Sequence, residues 1–250
     1  MSTADGSKDS AGSADSAGLG GSARPALPVV LENRRLCIVD KPAGWLSVPS
    51  RLGAADPRPC VGLALQEQLR CRLWPTHRLD EEVTGLLVFA KDAAAHRILN
   101  AAFAERQVHK TYRALTGGPP PEDAAVGETR QWTSQLLRGK KRAYVHPAGL
   151  LAVTEATLLA IEGDRLRWRL QPRTGRPHQL RVELARRGCP ILGDSLYGSP
   201  IAYGPGIALR AVALDFSASA AARALGLPAA IEQEEALPEQ PMGLLAAALL

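Results

Sequence analysis

The chain has 250 residues, of which 46% are hydrophobic, enough to bury a substantial core in one large domain or two small ones. It has no apolar run of about 18 residues and no apolar segment near its start, so the sequence predicts neither a transmembrane helix nor a secretory signal. The four cysteines lack the spacing of a zinc site, and we expect them to be reduced, as in a cytoplasmic protein.

The net charge of +5 is unevenly distributed along the chain. Residues 25–224 carry 28 Lys and Arg against 18 Asp and Glu, a net of +10, whereas residues 225–250 carry four Glu and neither Lys nor Arg. Such a basic body favours a polyanionic partner, most simply a nucleic acid. Charge alone leaves open a soluble basic protein without such a partner.

Hydrophobic patterns predict an ordered region between a polar beginning and an acidic end. Residues 1–24 are polar and of low complexity, so we expect them to be disordered. The patterns that follow predict strands at 29–39 (with a turn at 32–35), 86–89, 108–116, 131–137, 151–161, 165–171 and 208–216, and helices at 61–72, 93–104 and 177–188. This order is rich in strands without strict β-α-β alternation, which predicts an α+β fold with a mixed, mostly antiparallel sheet. We place one domain at 25–224 and a separate tail at 225–250.

One carboxylate, that of Asp80, lies at a position that would suit a catalytic group. Asp80 closes the segment His77-Arg78-Leu79-Asp80, shortly before the apolar run Leu86–Phe89, which is predicted to be a buried strand. A loop that enters a rigid strand holds its side chains in place, as a nucleophile or general base requires. From these residues alone, a turn-capping role or a surface pair with Arg78 is an equally good interpretation. No Gly-x-Gly-x-x-Gly, Walker-type or zinc motif is present, so no metal or nucleotide cofactor is predicted.

Together with the segment that contains Asp80, four further motifs resemble those of the RluA-type pseudouridine synthases. In chain order the five are Asp-Lys-Pro-Ala-Gly at 40–44, His-Arg-Leu-Asp with Val-Thr-Gly at 77–85, Lys-Thr-Tyr-Arg-Ala at 110–114, Gly-Arg-Pro-His-Gln-Leu-Arg at 175–181, and Gly-Cys-Pro-Ile-Leu-Gly-Asp-Ser-Leu-Tyr-Gly at 188–198. The resemblance extends from about Val30 to Phe216. It implies a catalytic domain at 25–224 with a cleft along the middle of the sheet, and a compact form without a separate small RNA-binding domain before it.

The resemblance also implies roles for individual residues. Asp80 would be the essential carboxylate, and Arg181 would pair with it and favour its charged form. Tyr112 would stack on the target base, and Leu180 would pack against the base or the tyrosine. Pseudouridine formation is an isomerisation of uridine in RNA, so the resemblance implies no cofactor.

The RNA itself would be contacted by a second set of residues. A base inside a folded RNA must be flipped out before it can react, and Arg78 matches the position from which family members insert an arginine. His77, His178 and Gln179 are interpreted as orienting or packing residues of the substrate site, and Arg176 and Lys41 as substrate contacts. A solvated loop lysine is the alternative for Lys41. The resemblance favours ribosomal or transfer RNA as the target, and we expect a cytoplasmic monomer that does not bind membranes.

Several departures from the family pattern leave two other functions open. Val83-Thr84-Gly85 stands where Thr-Ser-Gly is usual, and Glu81 and Glu82 place negative charge beside a presumed polyanion. These changes would suit an RNA chaperone or another RNA-binding protein that kept the fold and lost activity. A retaining glycosidase would need a second carboxylate about 5 Å from the first, for which Glu82 is the only nearby candidate.

Overall fold

The structure, a computed structural model, describes residues 26–233 and residue 237, and its eleven strands form one sheet. The strands are β1 Val29–Glu32, β2 Leu36–Lys41, β3 Trp74–Pro75, β4 Thr84–Ala90, β5 His109–Gly117, β6 Thr129–Arg138, β7 Ala143–Val145, β8 Leu150–Glu162, β9 Arg165–Pro172, β10 Leu209–Asp215 and β11 Ala230–Glu232. The α-helices are α1 Val61–Leu69, α2 Ala93–Ala104, α3 Gln179–Ala185 and α4 Ala220–Arg223, and short 3-10 helices lie at Gly53–Ala55 and Ser195–Tyr197. The predicted disorder of residues 1–24 lies outside the described residues.

The sheet is mixed and mostly antiparallel, which confirms the predicted fold class. Its main order is β1-β2-β4-β10-β5-β9-β8-β6-β7, with β3 paired to β4 and β11 paired to β10. Only the β4–β10 pair is parallel among these strands. This order brings β4, which follows Asp80, within two positions of β5, which carries Tyr112.

Apolar residues cover both faces of the sheet. On one face α2 and α4 pack over β2, β4 and β10, through residues that include Leu99, Ala222 and Leu214. On the other face a larger cluster joins Leu65 of α1 and Leu184 of α3 to the sheet. The longest described helix, α2, has 12 residues, and none of those described is long and apolar enough to cross a bilayer.

The end of the domain and the start of the third helix differ from their predicted positions. The domain does not end at 224, because β11 pairs with β10 and the side chains of Leu227 and Ile231 are buried beneath α2 and α4. The predicted tail therefore contributes at least residues 225–233 to the domain. The helix expected from Pro177 begins at Gln179, because His178 adopts a left-handed conformation with φ 51°. Strand β7 and helix α4 were not predicted, since three or four residues carry too little pattern.

Candidate active site

The loop that carries Asp80 is tied down on both sides. It runs from Thr76 to Val83, between β3 and β4. The hydroxyl of Thr76 donates to the carbonyl of Val88 at 2.9 Å, and Ser47 Oγ donates to the Leu79 carbonyl at 2.7 Å while it accepts from the Leu79 amide at 3.0 Å. The backbone on either side of Asp80 is therefore fixed before any substrate arrives.

Lys41 belongs to this scaffold and not to the substrate surface, which corrects its assignment as a substrate contact. Its side chain is fully buried, and Nζ donates to the carbonyls of Pro42, Glu81 and Val83 at 2.8–2.9 Å. A phosphate cannot reach an ammonium that is enclosed in this way. Burial lowers the pKa of Lys41 to about 8 against the opposing effect of nearby carboxylates, Glu82 first.

Asp80 lies next to Arg181 at the floor of a cleft. Arg181 Nη1 is 3.3 Å from Asp80 Oδ2, and the Asp80 side chain keeps 34% of its surface exposed. Within the described residues, Oδ1 of Asp80 has no hydrogen-bond partner. One carboxylate oxygen is thus anchored while the other is free to meet a ligand.

Arg181 is itself held by a second carboxylate. Its Nε and Nη2 donate to the two oxygens of Asp194 at 2.7 and 2.8 Å, and both side chains are almost completely buried. Burial opposes the charge of Arg181, but the hydrogen bonds to Asp194 and the charges of Glu82 and Asp80 outweigh it and raise its pKa. Arg181 therefore lies inside the protein, and it stays a cation.

Tyr112 and Leu180 line the same cleft as Asp80 and Arg181. The cleft has a volume of about 920 Å³ and opens to solvent, which is room for an extruded nucleotide. Burial raises the pKa of Tyr112, and the charge of Asp80 raises it further, so its phenol stays neutral. The predicted triad of carboxylate, tyrosine and arginine comes together from the loop before β4, from β5 and from α3.

Three of the polar residues predicted at the substrate site have structural partners. Gln179 is buried and bonded on both ends of its amide, to Val153 and Thr154 on β8 and to Thr174 beside α3. His77 accepts from the amide of Val88 at 3.1 Å, and burial lowers its pKa to about 3. Both side chains are therefore held by hydrogen bonds within the protein, and their orienting role stays a prediction. Arg176 donates to the Leu151 carbonyl at 2.8 Å at the cleft wall.

His178 lies closer to the chemistry. Its Nδ1 is 2.9 Å from the Tyr197 hydroxyl, and its Nε2 is 3.9 Å from Asp80 Oδ2. Burial lowers the pKa of His178 against the opposing charge of Asp80. The imidazole is therefore neutral near pH 7.

The rim of the cleft is basic. Arg78 and Arg138 line it and are exposed, and neither makes a side-chain hydrogen bond or ion pair with any residue in the described ranges. Arg173, also on the rim, is paired with Glu155 at 2.7 Å. Arg138 is the last residue of β6 and begins the basic segment 138–142, which leads into β7. Unpaired guanidinium groups at a cleft mouth are suited to phosphate contacts.

The two unusual glutamates are both paired. Glu81 binds Arg58 at 2.6 Å, and Glu82 contacts Arg181 at 3.3 Å. Glu82 is absent from the described residues that line the cleft. Each of the two charges therefore faces an arginine, although Glu81 itself lines the cleft.

Sequence reasoning missed Asp194 and Tyr197 as site residues. Both stand in the motif at 188–198, which was recognised as a unit without a role for either side chain. Their spacing of three residues places them at the two ends of one 3-10 turn, which packs against α3. No group of three or more His, Cys, Asp or Glu that could hold a metal occurs in the described part of the chain.

Comparison with known proteins agrees with this geometry. A family described as RNA pseudouridylate synthase matches residues 35–186. The dual-specificity RNA pseudouridine synthases RluA of Haemophilus influenzae and of Escherichia coli K12 are each 34% identical to the chain over 70% of its length and 79% of theirs. The RNA pseudouridine synthase YhcT of Bacillus subtilis is 33% identical over 69% of this chain, and that match spans 58% of YhcT.

A solved structure has the same fold. Human RNA pseudouridylate synthase domain containing 4 superposes with a TM-score of 0.60 at 24% identity, over 75% of this chain and 83% of the human one. The chain belongs to the RNA pseudouridylate synthase family. Within that family it is of the RluA type, an enzyme that isomerises uridine in RNA.

Proposed function

We propose that Asp80 is the catalytic carboxylate of this synthase and that the substrate is a uridine in ribosomal or transfer RNA. The observation that carries the proposal is the set of contacts made by the two carboxylate oxygens of Asp80. One oxygen faces a buried, permanently charged arginine, and the other is unoccupied at the floor of the cleft. A carboxylate that is held by a guanidinium through one oxygen can act through the other as a nucleophile or a base.

The reaction breaks the bond between ribose C1′ and uracil N1, turns the base, and forms a bond between C1′ and C5. The proton on C5 leaves and N1 gains one, so no atom or electron is lost overall. Asp80 could attack the ribose, attack the base, or abstract a proton to give a glycal. Each route needs one positioned carboxylate, which this cleft supplies.

Tyr112 and Leu180 form the surface on which the flipped base would rest. Both line the cleft beside Asp80. The neutral phenol ring of Tyr112 offers a π-face to the uracil without placing a second negative charge beside the carboxylate. Its hydroxyl is also a candidate to assist removal of the C5 proton. We therefore assign Tyr112 to binding and to that late step.

Extruding the base leaves a gap in the RNA that a side chain must fill. Arg78 is exposed on the cleft wall two residues before Asp80, with no partner among the described residues. A guanidinium can stack on bases and bond to phosphates at once. We assign Arg78 to the gap, and Arg138 and Arg176 to the RNA backbone at the rim.

The two alternatives lose support from the contacts of Glu81 and Glu82. An inactive RNA-binding protein was suggested by these two charges, but ion pairs with arginines account for both. A glycosidase would need Glu82 to face the substrate, whereas it faces Arg181 from outside the cleft lining.

The test is the release of tritium from RNA labelled at uridine C5. Asp80→Asn is expected to abolish release while the variant binds RNA normally, since the amide keeps the shape and loses the charge. The matched control is Asp164→Asn, which changes an exposed turn between β8 and β9. Release by Asp80→Asn at the rate of the control would refute the assignment.

The target and the working form of the enzyme need separate measurements. The RluA relatives are named as dual-specificity enzymes, and we propose that this chain also accepts more than one RNA. Mapping of pseudouridines in total RNA from cells with and without the gene identifies the targets. We further propose that the enzyme works in the cytoplasm as a monomer, which light scattering and cell fractionation check.

A further inference from the structure

The hydroxyl of Tyr197 is the meeting point of three groups. It accepts from the amide of Ala143 at 2.9 Å, lies 3.1 Å from the carbonyl of the same residue, and lies 2.9 Å from His178 Nδ1. A phenol has one proton to donate, so only one of the last two groups can receive it. The group that receives this proton determines the tautomer of His178.

The nearby carboxylate distinguishes the two arrangements. If Tyr197 donates to the Ala143 carbonyl, His178 carries its proton on Nδ1 and turns the lone pair of Nε2 towards Asp80, which is repulsive. If Tyr197 donates to Nδ1, the proton lies on Nε2 and points at Asp80 Oδ2, 3.9 Å away. The second arrangement gives up the 3.1 Å bond from the Tyr197 hydroxyl to the Ala143 carbonyl, but it is the one that the carboxylate favours, because a carboxylate attracts an N–H and repels a lone pair.

We propose that His178 is a positioning residue, whose neutral imidazole donates from Nε2 to Asp80 Oδ2 when the cleft closes on RNA, with Tyr197 fixing the tautomer. This inference rests on the proposed role of Asp80. The present separation exceeds hydrogen-bond length by less than 1 Å, and catalytic hydrogen bonds are commonly long before substrate binds. Donation by both Arg181 and His178 would fix Oδ2 and leave Oδ1 as the reacting oxygen.

Two further observations support a neutral donor at this position. The charged groups that face His178 are Asp80, Arg181, Glu82 and Asp194, and burial of the ring outweighs the attraction of the carboxylates and lowers its pKa. The residue also holds a left-handed backbone, with φ 51°, which Asn or Gly adopts more readily than His. A strained conformation of this kind is retained where the side chain has a task.

Two amide variants separate this role from a structural one. The side-chain nitrogen of Gln superposes on Nε2 of histidine, and that of Asn superposes on Nδ1. His178→Gln therefore keeps a donor towards Asp80, whereas His178→Asn loses that donor and reaches only towards Tyr197. If the residue merely shapes the backbone, Asn should be the better replacement, since it tolerates positive φ best. The two interpretations thus predict opposite rank orders.

The experiment compares both variants and Tyr197→Phe by tritium release under single-turnover and steady-state conditions. We expect His178→Asn to lower kcat by about 10- to 100-fold with a nearly unchanged KM, as small misplacements of a catalytic group do. His178→Gln should stay within about fivefold of the unmutated enzyme and Tyr197→Phe should fall between them. Thermal melting of each variant verifies folding.

The outcomes are decisive in both directions. Equal kcat values for His178→Gln and His178→Asn, or a faster Asn variant, would overturn the inference even though Asp80→Asn remained inactive. An active Asp80→Asn variant would instead overturn the proposed function itself, so the two failures are distinguishable.

Discussion

Replacement of Lys41 by methionine tests whether a buried lysine builds the active-site loop. Methionine has a similar length and no donor, so the carbonyls of Pro42, Glu81 and Val83 lose Nζ. The Glu81 carbonyl keeps a second donor, the Gly44 amide at 2.9 Å. The carbonyls of Pro42 and Val83 are then left without this donor, and Val83 closes the loop that carries Asp80.

The size of the effect follows from those two acceptors. An unsatisfied buried acceptor costs about 1–3 kcal/mol, and removal of a buried charge returns part of that sum. We expect a net loss of about 2 kcal/mol, which lowers the melting temperature of a domain of this size by about 4–8 °C. Because the loop loosens around Asp80, kcat should also fall by about tenfold or more.

The assay pairs Lys41→Met with Lys140→Met, an exposed lysine in the turn between β6 and β7. Thermal melting, tritium release and the salt dependence of RNA binding are measured for both. Lys41→Met should have a lowered melting temperature, and its RNA affinity should depend on salt concentration as in the unmutated enzyme. Lys140→Met should have a normal melting temperature and a weaker dependence of RNA affinity on salt. A normal melting temperature and a shallower slope for Lys41→Met would refute the reasoning and return Lys41 to the phosphate surface.

Three further outcomes are expected. The pKa of Lys41 is about 8 in the folded protein against 10.5 in the unfolded chain. Between these two pH values the unfolded chain binds more protons, so the free energy of unfolding should rise with pH, by about 3 kcal/mol in total. Denaturant titrations from pH 7.5 to 10.5 should show this rise, and Lys41→Met should lack it. Asp194→Asn leaves the buried Arg181 without its main partner. The free energy of unfolding measured by chemical denaturation should fall by about 3–5 kcal/mol, and most of the tritium release should be lost. Normal stability would contradict the assigned pair. Gly85 has φ +107°, and Gly85→Ala would place a Cβ 2.1 Å from the Ala211 carbonyl oxygen, so little folded protein should be recovered. The control Gly127→Ala, also at positive φ but in open space, should fold. Equal yields of the two variants would refute the packing argument.

The central strands and two helices could be predicted because their patterns are local. Leu86–Phe89 is continuously apolar and became the buried strand β4, which has neighbours on both sides. Asp92 caps α2 by accepting from the Ala95 amide at 2.8 Å, a role that its place before an alanine-rich segment favours. Such features depend on residues within a few positions of one another, so the sequence displays them directly.

Long-range contacts could not be predicted in the same way. Arg181 and Asp194 are 13 residues apart, and the partner of Arg181 at the cleft, Asp80, is 101 residues away. The position of Lys41 on a loop suggested an exposed cation, and only the folding of residues 80–83 over it shows that it is enclosed. The left-handed backbone at His178 shortened α3, and the side chain meets the hydroxyl of Tyr197, 19 residues further along the chain.

The sequence by itself determined the family, the order of the main elements and the chemical identity of the acid, the aromatic ring and the guanidinium. Ordered motifs and hydrophobic periodicity involve residues close together in the chain, so they can be recognised without the tertiary structure. Only the tertiary structure decided which charges face the cleft and which are enclosed. Burial and pairing depend on neighbours from other strands, and it is these neighbours that leave Asp80 Oδ1 open, enclose Lys41 and turn Glu82 away.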